Sequence, residues 1–234
     1  MDQIDDTPTS IWVHLDELRR RLFVAIITMV ITTGASLALA QNFLQILAQP
    51  IGGLANLQAI EVTETIGVMM RVSLLGGFIL AFPVFLYEII AFTLPGLKPN
   101  EKKWLFIAIP FATLLFLGGV VFAYFVMLPS AIPFLTGMMG VKTIPRVSNY
   151  INFVTSLIFW IGIGFEEPLV VFALIKLKII TVGQLAKQWR IAIVIIAALS
   201  AVITPTVDPV NMGLLMLPLF GLYLLSLLLG LMAR

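Results

Sequence analysis

Residues 71–127, RVSLLGGFILAFPVFLYEIIAFTLPGLKPNEKKWLFIAIPFATLLFLGGVVFAYFVM, decide the fold. The run 71–93 carries only two charges, Arg71 near one end and Glu88 near the other. Leu94-Pro95-Gly96 then breaks it, and Lys98-Pro99-Asn100-Glu101-Lys102-Lys103 follows as a short charged loop. The run 104–127 has no charge at all. About 20 apolar residues cross a hydrocarbon core as a helix. Within that core the backbone must satisfy its own hydrogen bonds, which selects helices over irregular chain. The stretch therefore predicts a helical hairpin through a bilayer, with its tight loop in water.

Four further segments extend the pattern. The run 22–40 precedes the hairpin, and 150–175, 190–203 and 211–231 follow it, so the chain reads as a single all-α membrane domain, 1–234, with about six spans. Residues 41–70 are amphipathic and more polar, with Pro50, Gly52, Gly53, Glu61 and Glu64. Residues 128–149 read as a loop with short helical pieces, and Thr204-Pro205-Thr206-Val207-Asp208-Pro209 as a turn. The last two spans read as unusual, and 190–203 reaches only ~21 Å against ~30 Å of hydrocarbon. Composition agrees with this picture. Of 234 residues, 60% are hydrophobic and 11% charged, where soluble domains average about 25% charged. Arg19-Arg20-Arg21 before an apolar run ending Ala38-Leu39-Ala40 imitates a cleaved secretory signal. The run is too long for one, and membrane-like chain continues beyond it, so it reads as a retained first span.

Charge sets the expected orientation. Eleven of the 14 Lys and Arg fall in the N-terminal tail, the 94–103 loop, the 176–190 loop and the C-terminus. Only Arg71, Lys142 and Arg146 lie elsewhere. Cytoplasmic loops are the ones enriched in Lys and Arg, so both termini are expected inside.

Three segments carry candidate chemistry. In His14-Leu15-Asp16-Glu17-Leu18-Arg19-Arg20-Arg21-Leu22, the leucines fall on one helical stripe. Asp16 and Glu17 precede Arg20 and Arg21 by four residues, the favourable order for ion pairing. The segment reads either as an amphipathic helix pinned to the inner surface or as a docking surface there. In Phe92-Thr93-Leu94-Pro95-Gly96-Leu97-Lys98-Pro99-Asn100-Glu101-Lys102, a plain hairpin loop leaves Leu97 and Glu101 unexplained. A carboxylate there can accept paired hydrogen bonds from an arginine. In Gly164-Phe165-Glu166-Glu167-Pro168, Glu166 lies ~15 Å above the inner interface if helical. An acid at such depth costs about 2.5–3.5 kcal/mol on insertion scales. It reads as a functional group facing a cavity or as a structural acid bonded to neighbouring helices. Successive carboxylates point ~100° apart on a helix, so Glu166 and Glu167 are not expected to share a site.

Other chemistry is excluded. The chain has no Cys, and its one histidine, His14, lies in the tail. It has no phosphate-binding glycine loop and no H-E-x-x-H. No metal, cofactor or catalytic centre is expected, and an intramembrane enzyme is disfavoured.

Taken together, the H-L-x-E-L-R-x-R-L tail (His14 to Leu22), F-x-x-P-G-L-x-x-x-E loop (Phe92 to Glu101), F-E-x-P (Phe165 to Pro168) and T-P-x-x-D-P turn (Thr204 to Pro209) resemble the TatC family. That family is the large polytopic subunit of the twin-arginine protein translocase, and the resemblance covers roughly residues 10–231. It implies a glove-shaped fold whose last two helices are short. It implies recognition of twin-arginine signal peptides of folded cargo, assembly with single-span TatA and TatB partners and with other copies, and transport driven by the proton motive force. The family's signal-binding carboxylates fall on Glu17 and Glu101, with Arg19, Phe92 and Leu97 at neighbouring positions. Glu166 matches the embedded acid, and Pro50 and Asp208 match outer-side functional positions. Glu167 and Glu88 depart from the pattern, since relatives often carry an apolar residue and an amide there. The expected location is a bacterial plasma membrane, with the thylakoid as the other compartment. The competing reading is an ion-coupled small-solute transporter with Glu166 as proton relay.

Overall fold

The computed structural model describes residues 11–93, 99–137, 144–176, 179–204 and 209–232. Its helices are α1 (Ile11–Ala38), α2 (Ala40–Ala48), α3 (Glu64–Thr93), α4 (Pro99–Phe122), α5 (Leu128–Gly137), α6 (Val147–Gly164), α7 (Glu167–Lys176), α8 (Val182–Lys187), α9 (Trp189–Ile203) and α10 (Pro209–Met232). Five segments are long and apolar enough to cross a bilayer, 12–38, 64–92, 109–137, 147–175 and 209–231, and α9 is a shorter apolar helix.

The boundaries depart from the sequence reading in instructive ways. The amphipathic tail and the first span form one unbroken helix, α1. No proline interrupts it, and its outer surface is lined by exposed Leu22, Ile26, Val30 and Ile31. Residues 123–127 form a π turn between α4 and α5, so the third span continues past its expected end into the segment read as a loop. The fourth span is two helices, α6 and α7, interrupted at Phe165-Glu166. Pro168 contributes to the interruption, since its ring nitrogen cannot donate to the preceding turn.

The expected shortness holds for one of the last two spans only. The 15 residues of α9 reach about 22 Å. The 24 residues of α10 reach about 36 Å and are long enough to cross. Pro209 starts α10 at a position where its missing N–H costs nothing. At the other end, α8 is launched by a capping box: the Gln184 N–H donates to Thr181 Oγ1 at 3.2 Å, and the Thr181 N–H donates to Gln184 Oε1 at 2.9 Å.

Lipid offers little hydrophobic reward for helix contact, so close packing of small residues does the work. α1 lies along α3, with Thr33 and Ser36 set against Gly77 and Gly76. α4 crosses α6 where Gly119 meets Gly162; a Cβ added to Gly119 would stand 2.9 Å from the Gly162 Cα. Phe116 fills the adjoining space, stacked on Phe82 at 3.8 Å between ring centres. α7 and α9 pack on α10.

Candidate functional site

The N-terminal part of α1 and the C-terminal end of α3 are joined at two levels. The His14 ring stacks on Phe92 at 4.3 Å with 24° between planes. Two helical turns along α1, Arg21 bridges two acids. Its Nε and Nη2 donate to Glu17 Oε1 at 3.1 and 2.7 Å, and its Nη1 donates to Glu88 Oε2 at 3.2 Å. The Glu17–Arg21 pair is the one the four-residue spacing predicts. All three side chains are partly screened from solvent, Glu88 most of all at 12% exposure. Arg19 is exposed and lies 5.8 Å from the Phe23 ring centre. Thus Glu17, Arg19 and Phe92 are gathered at one end of the bundle. Leu97 lies outside the described residues. Glu101 falls in the first turn of α4, which begins at that same end, but its side chain lies outside the described set.

Inside the bundle the two successive acids diverge as expected. Glu166 is 7% exposed, and neither carboxyl oxygen has a well-formed hydrogen bond among the described residues. The Phe116 backbone is the polar group facing it. Its own N–H donates to the Ile163 carbonyl at 3.0 Å in the turn that ends α6, and its carbonyl accepts from the Leu169 and Val170 N–H groups at 3.0 and 3.1 Å in the turn that starts α7. Glu167 instead lines an apolar cavity of about 400 Å³ between α6, α7, α9 and α10, with Trp160, Leu185, Ile196 and Tyr223.

The opposite end is capped by the 40–64 segment. Pro50 lies half-buried in a tight 3₁₀ turn, Gln49–Ile51, followed by Gly52 at φ 89° and Gly53 at φ 100°. Only glycine takes such angles without strain. Asn56 closes the turn by donating to the Ile51 carbonyl at 2.9 Å. Two tyrosines pin α2 above it. The Tyr150 hydroxyl donates to the Leu47 carbonyl at 2.8 Å, and the Tyr124 hydroxyl to the Ile46 carbonyl at 2.8 Å. Tyr124 sits in the π turn, where the extra residue re-aims the side chain. Asp208 lies outside the described residues. Near it in sequence, Asn211 is buried and accepts from the Ser130 hydroxyl at 2.7 Å.

Sequence reading missed the clasp that fastens this cap. Gln58 pairs with residues 145–147 as an isolated parallel bridge, with N–H to carbonyl distances of 3.2 and 2.9 Å. Below it, Arg146 contacts Glu61 at 2.9 Å and Glu64 at 3.0 Å. Glu64 also accepts from the backbone N–H of Ser148 at 2.8 Å and of Ile60 at 3.0 Å. Glu61 and then Glu64 hold the Arg146 charge and raise its pKa further. The available signal was an opposite-charge pair in two loops expected on the same side.

Tyr150→Phe should lower the melting temperature of the purified protein. It leaves the buried Leu47 carbonyl without its donor, a loss of about 1–3 kcal/mol. Tyr124→Phe should cost less, because its hydroxyl is reached by solvent. Thermal unfolding in detergent measures both.

Residues 13–218 match the family described as Sec-independent protein translocase protein (TatC). A Sec-independent protein translocase protein TatC from Carboxydothermus hydrogenoformans is 34% identical over 95% of this chain and 93% of its own. The chloroplastic TATC of Pisum sativum is 33% identical over 94% of this chain and 63% of its own. A crystal structure of the twin-arginine translocase receptor TatC superposes with a TM-score of 0.78 at 37% identity, covering 94% of this chain and 99% of that one. Sequence and architecture agree along nearly the whole length, and the chain belongs to the TatC family of protein translocase subunits, which are not enzymes.

Proposed function

We propose that this chain is the receptor that binds twin-arginine signal peptides of folded cargo, with Glu17 and Glu101 as the carboxylates that meet the arginines. Arg19, Phe92 and Leu97 flank them. The observation that carries this reading is the joining of α1 to α3 through His14–Phe92 and Arg21–Glu88, which sets Glu17 at the end of the bundle where α4 and Glu101 begin. Exposed ion pairs contribute only about 0–1 kcal/mol each. The apolar part of the signal must therefore add affinity by packing beside Leu97 or in the membrane.

The same reading places both termini on the cytoplasmic side of a bacterial plasma membrane, following the distribution of Lys and Arg. The chloroplastic relative keeps the thylakoid as the alternative. TatA- and TatB-like single-span subunits and further copies of the chain complete the complex, and the proton motive force drives transport. Glu166, Pro50 and Asp208 serve transport at depth and at the outer cap. Family membership leaves the small-solute transporter reading unsupported.

A photo-cross-linker at position 101 should capture a twin-arginine peptide and not its twin-lysine control. Glu101→Lys should abolish capture from a neighbouring position such as 97 while the protein still inserts into membranes. Normal capture in that variant would remove Glu101 from the binding face.

A further inference from the structure

Arg21 holds two acids at once. Glu17 gives it one oxygen, Oε1, which takes both Nε and Nη2, and Glu88 takes Nη1. Among the described residues no donor is paired with Glu17 Oε2, although a carboxylate offers about four acceptor positions. Counting charge, the two acids and one guanidinium leave one negative charge. Among the described residues no cation other than Arg21 is paired with either acid. Asp16 and Arg20 are both exposed and balance each other at four-residue spacing, and Arg19 lies over Phe23. Were Glu88 an amide, Arg21 would neutralise Glu17 outright. Arg21 itself displays the ligand these acids accept, a guanidinium making paired hydrogen bonds.

We propose that Glu88 is a positioning residue for signal binding: by drawing on the Arg21 charge, it keeps the Glu17 site one guanidinium short, and a signal-peptide arginine completes an alternating row Glu88–Arg21–Glu17–arginine. Glu88 does not touch the peptide and acts through Arg21. The proposal rests on Glu17 being a signal-binding carboxylate, as argued above.

The test is titration of a fluorescent twin-arginine signal peptide into the full-length protein in lipid nanodiscs, at low and high salt, with a twin-lysine peptide beside it. Glu88→Gln should weaken binding about two- to fivefold at low salt, the range of one partly exposed ion pair. Arg21→Gln should strengthen it by a similar factor and narrow the preference over the lysine peptide. The double variant restores the charge count and should return close to wild type, as should Glu88→Asp. The differences should shrink at high salt.

If the trio were only a strut between α1 and α3, both single variants would weaken binding and the double would be weakest; that result overturns the proposal. Unchanged affinity in Glu88→Gln overturns it too. If Glu88→Gln fails to accumulate, the sign of the Arg21→Gln effect decides. A wild-type chain that binds no twin-arginine peptide removes the receptor reading itself and this inference with it. Binding that is intact in wild type and indifferent to the Glu88 charge removes the inference alone.

Discussion

Gly77→Val should release α1 from α3 and cost the protein both its stability and the proposed binding face at their shared end. A Cβ at position 77 would stand 2.7 Å from the Thr33 N and Cα, which are backbone atoms that no rotamer change can move. The two helices must separate along their shared length. Overpacking of this kind costs about 1–3 kcal/mol in soluble cores. Here the consequence is larger, because α1 packs on α3 and on little else. The separation also parts His14 from Phe92 and Arg21 from Glu88, contacts that span the same two helices. The expected results are a sharp fall in melting temperature and in accumulated protein, with loss of twin-arginine peptide binding in whatever remains. Gly34→Val on α1 is the control. Nothing lies within 4 Å of its added Cβ, so it should behave as wild type. Equal behaviour of the two variants would show that this approach is not what holds α1.

The second large effect is expected from Glu17→Lys. The substitution removes the acceptor of two Arg21 hydrogen bonds and places a cation four residues from Arg21, a destabilising pair on a helix. The trio Glu17, Arg21 and Glu88 moves from one net negative charge to one net positive charge. A peptide bearing two adjacent arginines then meets repulsion where it met an acceptor. Peptide binding should fall by more than tenfold, with most of the loss present at low salt. The fold itself should survive, because the His14–Phe92 stack remains and Arg21 keeps Glu88. Glu17→Gln should lie between the two, since an amide oxygen still accepts. Retained binding in Glu17→Lys, measured by the same titration, would exclude Glu17 as a contact.

Much of this architecture is legible in the residues because hydrocarbon leaves the backbone few options. The apolar runs, the Pro-Gly break at 95–96 and the clustered lysines locate the hairpin directly. Boundaries are less legible where proline is involved. Pro83, Pro110, Pro133 and Pro218 all lie inside helices, where neighbouring helices and local adjustments satisfy the freed carbonyls. Pro129 and Pro133 read as loop residues, yet α5 forms around them. The length of α10 is underestimated for the same reason: Pro209 reads as the end of a turn and is the first residue of the helix. Where α1 meets the end of α3, the Glu17–Arg21 pair follows from spacing alone, whereas Glu88 stands 67 positions from Arg21, and no local pattern announces such a pair. The clasp at the opposite end is hidden likewise, since two membrane-length spans, 64–92 and 109–137, separate Glu61 and Glu64 from Arg146.

The interruption at Phe165-Glu166 divides one span between two groups of helices. α6 packs with α3 and α4, while α7 packs chiefly with α10. The fourth span is thus an articulation: the chain passes from one half of the molecule to the other through a single turn at membrane depth. The carboxyl of Glu166, without a well-formed hydrogen bond among the described residues, sits on that seam. Glu166 therefore marks the point where the contacts of the span pass from α3 and α4 to α10.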